Sequence, residues 1–224
     1  MSVYRDPKSW LVFVVAGLAT AFAWLSLINP GMAGLIELCG ENGVFAYIAP
    51  WDGERLLGLG AMWCAMGVAM MVPCITAALV ANAWRWRESY GFFTAALCHA
   101  LGYFGVVLPL VLAAAGLEWG LESAGLLRGG SPPDHPAASA LLVGAGLGSL
   151  AWRRRNCPWP RLWLGPVHGG VRHAYRHMPV LVAMITVQLA AGSMNLGVMF
   201  LLGLAMLALE FSPRALRHAV PAIR

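Results

Sequence analysis

LLGLGAMWCAMGVAMMVPCITAALVAN, residues 56–82, runs 27 positions without a charged side chain. About 20 consecutive apolar residues suffice to cross the hydrocarbon core of a bilayer, so this run predicts a transmembrane α-helix. Outward from it, further apolar segments cover residues 9–30, 91–117 and 137–152, then an almost unbroken stretch from 178 to 209. The chain of 224 residues is 59% apolar and only 11% charged, against about 45–50% and about 25% in an ordinary soluble domain. Lipid must therefore solvate much of its surface. The ten-residue segments of alternating polarity that mark an outer-membrane barrel are missing, which leaves helices as the spanning elements. The reading is all-α: a single integral membrane domain over residues 1–224, built as a polytopic transmembrane helical bundle.

Charge decides how many spans there are, because Lys and Arg accumulate on the cytoplasmic side. The 178–209 stretch is either one tilted helix or two short ones broken near Gly192-Ser193-Met194-Asn195. With the amino terminus inside and two helices there, thirteen of the fifteen basic residues fall on the cytoplasmic side, and only Arg55 and Arg128 fall outside. About six spans follow, at 9–30, 56–82, 91–117, 137–152, 178–192 and 195–211, with both termini cytoplasmic in a bacterial inner (plasma) membrane. External loops are expected around 31–55 and 118–136, and they would collect Glu37, Glu41, Asp52, Glu54, Glu118, Glu122 and Asp134. The first apolar run is too long for a signal-peptide core and is expected to stay as an anchor. Residues 153–177 differ in kind, with six Arg, His168, His173, His177, Trp159, Trp163 and three Pro. They read as an interfacial segment set against lipid headgroups, and Pro179 is expected to limit how far the following helix extends back into it. The net charge of +5 is spread between the apolar runs, so it indicates orientation in a membrane and not nucleic-acid binding. Five cysteines, an odd number, three of them inside apolar runs, give no disulfide framework.

Chemistry could reside in three places. Met62, Met66, Met70 and Cys74 are spaced by four and form one stripe along a helix. Thioether and thiolate are soft donors suited to Cu(I), although the same residues are what helix packing alone would select. Cys98 and His99 lie within the third apolar run. An ionisable group at membrane depth is a functional candidate, the alternative being a histidine satisfied by a neighbouring carbonyl. His173 and His177, four apart, can present two imidazoles from one helix face to a metal, or belong with Arg172 and Arg176 to a basic interfacial surface. No paired carboxylates, Ser/His/Asp set, phosphate loop or dinucleotide fingerprint is present, so no catalytic residue is assigned and an enzyme is not expected.

Several motifs occur in order along the chain. Ala23-Trp24-Leu25 is followed by the Met-Trp-x-x-Met-x-x-x-Met-Met-x-Pro run from Met62 to Pro73, by Gly102-Tyr103 and by Leu141-Leu142-x-x-Ala145-Gly146-Leu147. Cys157, Arg172-His173, and Gly192-x-Met194-Asn195-Leu196-x-x-Met199 through to Glu210 complete the series. In these the chain resembles the bacterial membrane family designated domain of unknown function 2182, described as predicted metal-binding integral membrane proteins. It is a divergent member in this respect: where the family carries a Cys-x-x-Cys-Cys-Trp cluster soon after Arg-His-Gly, this chain has His177, Val180, Leu181 and Val182. Pro160 stands where the family has the cysteine partner of Cys157. The resemblance implies metal binding, with His177, His173, Cys157 and the Met stripe as replacements for the missing thiolates.

Two functions are expected from this. In the first, the protein is non-catalytic and handles a transition metal, copper first, through Met62, Met66, Met70, Cys74, His173 and His177, as an accessory to a membrane metalloenzyme. In the second, it is a purely structural accessory subunit whose metal site has decayed. In both, its partners are the lipid bilayer and other membrane protein subunits.

Overall fold

The computed structural model describes residues 6–28, 53–125, 136–153, 165–192 and 195–210, and the regular secondary structure within them is all α-helix. Six helices follow one another: α1 (Pro7–Ile28), α2 (Gly53–Tyr90), α3 (Phe92–Ser123), α4 (Pro136–Arg153), α5 (Gly165–Ala191) and α6 (Leu196–Glu210). The all-α architecture is as the sequence predicts. Three helices are long and apolar enough to cross a membrane, Pro7–Ile28, Leu56–Tyr90 and Phe92–Ser123, while the apolar parts of α4 and α6 are shorter. Their outward faces carry large apolar side chains. Trp10, Leu18, Phe22 and Leu25 of α1, and Phe93, Leu97 and Leu101 of α3, are each more than half exposed, as suits contact with lipid tails.

The core of the bundle is the α2–α3 hairpin. A single residue, Gly91, joins the two helices at φ +77°, a conformation that costs a side-chain-bearing residue about 1–2 kcal/mol and a glycine almost nothing. Its N–H donates to the Arg87 carbonyl at 2.9 Å and its own carbonyl accepts from Ala95 N–H at 3.0 Å, so the backbone bonding continues through the reversal. The helices then run back along each other. Tyr103 reaches Met71 near the middle and Trp63 reaches Glu118 near the far end. Pro73 and Pro109 lie inside these helices without ending them.

Remaining helices pack around this pair. The start of α1 meets the end of α2, where Trp84 Nε1 donates to Ser9 Oγ at 2.8 Å. The start of α5 lies at that same end, with Asn82 Nδ2 donating to the Pro166 carbonyl at 3.3 Å. α4 runs antiparallel to α5, tied by Ser149 Oγ donating to the Pro179 carbonyl at 2.7 Å. α6 returns against α1 and α2, where Phe200 stacks edge-on to Trp24 at 5.9 Å and Gly203 faces Met70. Successive helices therefore alternate in direction.

Two readings of the sequence are corrected here. Pro179 does not limit α5: the helix runs unbroken from Gly165 to Ala191 with Pro179 inside it, so the second half of the 153–177 segment is continuous with the apolar helix that follows. The missing N–H removes only the one helical bond to the Tyr175 carbonyl, and α4 packs on this part of α5 through Ser149 Oγ, which donates to the Pro179 carbonyl. Nor do Glu118 and Glu122 lie in an external loop, since α3 extends to Ser123 and Glu118 is only 1% exposed. The break expected near Gly192–Asn195 is present between α5 and α6. The loop expected at 31–55 lies outside the described residues up to position 52, as do Cys39, Cys157, and residues 126–135 of the second loop.

Candidate metal-binding site at the α2–α3–α5 junction

α5 crosses α3 with almost no side chain between the backbones. A Cβ added to Gly102 would collide with the Val167 carbonyl, and one added to Gly170 would collide with the His99 carbonyl. Only glycine permits this approach, and small residues at such crossings are how helices associate where lipid removes the hydrophobic drive. One turn beyond the crossing, the closeness brings His173 and His177 of α5 against His99 and Tyr103 of α3.

Four rings stack edge to face in consequence. His173 and His177 are 4.4 Å apart between centroids, His99 and His173 are 5.9 Å apart, and Tyr103 lies 5.5 Å from His173 and 6.0 Å from His177. Tyr103 is fully buried, His99 is 3% exposed and His177 7%. The Tyr103 hydroxyl lies 3.2 Å from His177 Nδ1 and 3.4 Å from Met71 Sδ. Both ring nitrogens of His99 and the Nε2 of His173 are buried without a hydrogen-bond partner. A buried polar atom left unpaired costs about 1–3 kcal/mol, so this concentration in one cluster is exceptional in a folded interior.

The residues singled out from sequence are placed as follows. Met62, Met66, Met70 and Cys74 are all buried, at 3%, 2%, 8% and 0% exposure, so the stripe faces other helices. Cys74 Sγ donates to the Met70 carbonyl at 3.2 Å, a bond within its own helix. Met70 lies against Gly203 of α6, whereas the thioether that meets the Tyr103 hydroxyl is that of Met71, one position and about 100° around the helix. His173 and His177 do share a helix face. His99 joins them, while Cys98, on the adjacent face, is only partly buried. Among the described residues no three His, Cys, Asp or Glu side chains are placed to close on a metal ion as they stand.

Two buried polar residues escape a reading by spacing. Tyr103 belongs to the histidine cluster, yet only the Gly102 crossing, itself set by a residue 65 positions later, brings it there. Glu118 accepts a hydrogen bond from Trp63 Nε1 at 2.5 Å, deep in the α2–α3 interface and 55 positions from its donor. Neither pair leaves a local pattern.

The donor set fits a borderline transition metal in chemistry. Imidazole suits copper and zinc, and a neighbouring thioether favours Cu(I). In comparisons with protein-family models, with curated proteins and with solved structures, the chain finds no match.

Proposed function

We propose that this membrane protein binds a transition metal ion, copper first, through the imidazoles of His99, His173 and His177, with the Met71 thioether in contact with Tyr103 of the same cluster, and that it handles the ion without catalysing a reaction. The observation that carries this reading is the cluster of three buried, unpartnered ring nitrogens on His99 and His173. A metal would satisfy atoms that none of the described residues satisfies. Closing on an ion requires the imidazoles to move from the arrangement described. The Met62–Met66–Met70 stripe then serves packing, which its burial against other helices supports.

The proposal includes a topology: six spans in a bacterial inner membrane with both ends cytoplasmic. Alternating helix directions and the thirteen-to-two distribution of basic residues support it. A second reading, a structural subunit of a larger membrane complex, is favoured by the lack of a converged ligand set among the described residues.

Element analysis of the purified protein separates the two. Expected is copper or zinc near one ion per chain, lost in the His173→Ala, His177→Ala double variant. Metal-free protein that cannot be loaded with copper(I) or zinc, and whose double variant changes only stability or co-purification of another subunit, overturns the metal reading.

A further inference from the structure

A histidine ligates a metal as a neutral imidazole, so His99, His173 and His177 leave the charge of an ion between them uncancelled. No acidic residue occurs on α2 between Leu56 and Arg87, on α3 before Glu118, or on α4 and α5. Glu118 lies about 28 Å beyond His99 along α3, and Glu88, at the end of α2, is paired with Arg87 at 3.7 Å. Positive charge is present instead: Arg172 and Arg176 each precede a histidine of the cluster by one position, and both are exposed on α5. Taking a cation out of water into a cluster in which His99 is 3% and His177 7% exposed is costly unless an opposite charge enters with it. Among the described residues the cysteines do not supply that charge as placed. Cys74 Sγ donates to the Met70 carbonyl, Cys98 lies on the adjacent face of α3, and Cys64 stands about 10 Å before Met71 along α2.

We infer that the cluster takes its ion as a copper(I)–thiolate complex, in which a small exogenous thiol bearing a carboxylate stays bound as the anionic ligand and sets its carboxylate against Arg172. This rests on the metal-binding reading above and names the form in which the ion arrives. The protein's donors are neutral nitrogens, and the sulfur brings the negative charge that they lack. Copper(I) is soft and prefers thiolate to oxygen donors, and a metal held by three protein ligands keeps a further position open for an exogenous one. Arg172 is reachable from water, and a guanidinium matches a carboxylate with two parallel hydrogen bonds. The step is ligand exchange alone. Copper remains copper(I), one thiolate of the incoming complex is retained, and any other ligand leaves with its own electron pair as the imidazole nitrogens replace it.

The test uses the full chain, stripped of metal, in lipid nanodiscs and oxygen-free, halide-free buffer. Copper(I) is supplied with radiolabelled 3-mercaptopropionate, with labelled cysteamine, or as its acetonitrile complex without thiol, and copper and label retained after gel filtration are counted. Expected is one copper and one 3-mercaptopropionate per chain, both released together by a copper(I) chelator and both lost in His173→Gln. Metal-free protein should retain no label. Cysteamine has the same thiol on a cationic tail, and loading with it should be about three- to tenfold weaker, the scale of exposed charge pairs gained or opposed. Arg172→Gln, a substitution at an exposed position, should bring the two thiols closer together. Copper(I) retained equally from the acetonitrile complex, or retained without label, overturns the inference and leaves the metal reading standing, with Cys157→Ser then showing whether that cysteine holds the ion. Equal loading by the two thiols, unchanged in Arg172→Gln, overturns the part given to Arg172. A chain that retains no copper in any of the three forms refutes the inference and the metal reading together.

Discussion

Glu118 is a carboxyl group 1% exposed inside a bundle that faces lipid, and the indole of Trp63 donates to it. Trp63→Phe keeps most of the packing volume but removes that donor. The expected cost is about 1–3 kcal/mol, read as a lower midpoint of thermal unfolding in detergent. Adding Glu118→Gln should restore part of the loss, since the coupling between contacting residues is not additive. The Met stripe makes a contrasting case. Met66→Leu and Met70→Leu conserve volume and should each cost less than about 1.5 kcal/mol while bound copper is retained; loss of copper at unchanged stability would move the site to the stripe. At this scale the sequence is legible in part. His173 and His177 can be paired from their spacing, and His99 stands out because an imidazole is rare in an apolar run. Tyr103 and Glu118 cannot be read, because a tyrosine and a glutamate near a helix end look ordinary until the residues opposite them are known.

Between elements, the α3–α5 crossing and the α4–α5 contact differ in what they can absorb. Gly102 and Gly170 each meet a backbone carbonyl, which cannot turn aside as a flexible side chain can. Gly170→Ala should therefore push the helices apart, cost about 1–3 kcal/mol or more, and abolish metal uptake even though no ligand is changed. Ser149→Ala removes one interhelical hydrogen bond to the Pro179 carbonyl, for which about 0.6 kcal/mol is the ordinary value in membranes, and should leave metal uptake intact. Equal effects of the two substitutions would argue against the crossing as the support of the site. Helix existence is well signalled by apolar runs. The start of α5 is not, because Pro179 inside a helix is indistinguishable in sequence from Pro179 at its beginning, and the packing of α3 and α4 along α5 is not written in that sequence.

For the whole molecule, alternating helices put the start of α1 and the end of α6 at the same end of the bundle as the Gly91 turn. A periplasm-only reporter fused after Arg224 should be silent, whereas one inserted between residues 126 and 135 should be active. A strong signal from the first fusion would remove one span from the proposed six. Apolar composition made the membrane class plain, while the orientation drawn from the basic residues stands as a proposal for the reporter fusions to test. The packing of six helices was beyond reach, since in lipid it rests on small residues and hydrogen bonds and not on an amphipathic pattern.

The one-residue turn at Gly91 also bears on how the chain enters the bilayer. With no loop between them, α2 and α3 have nothing that could wait on one face of the membrane while the other helix crosses. The two helices are therefore expected to enter together, and Glu118 is bonded to Trp63 once the pair has formed. Lengthening the turn is expected to uncouple the two helices and lower the yield of inserted protein, with the Trp63–Glu118 contact made late.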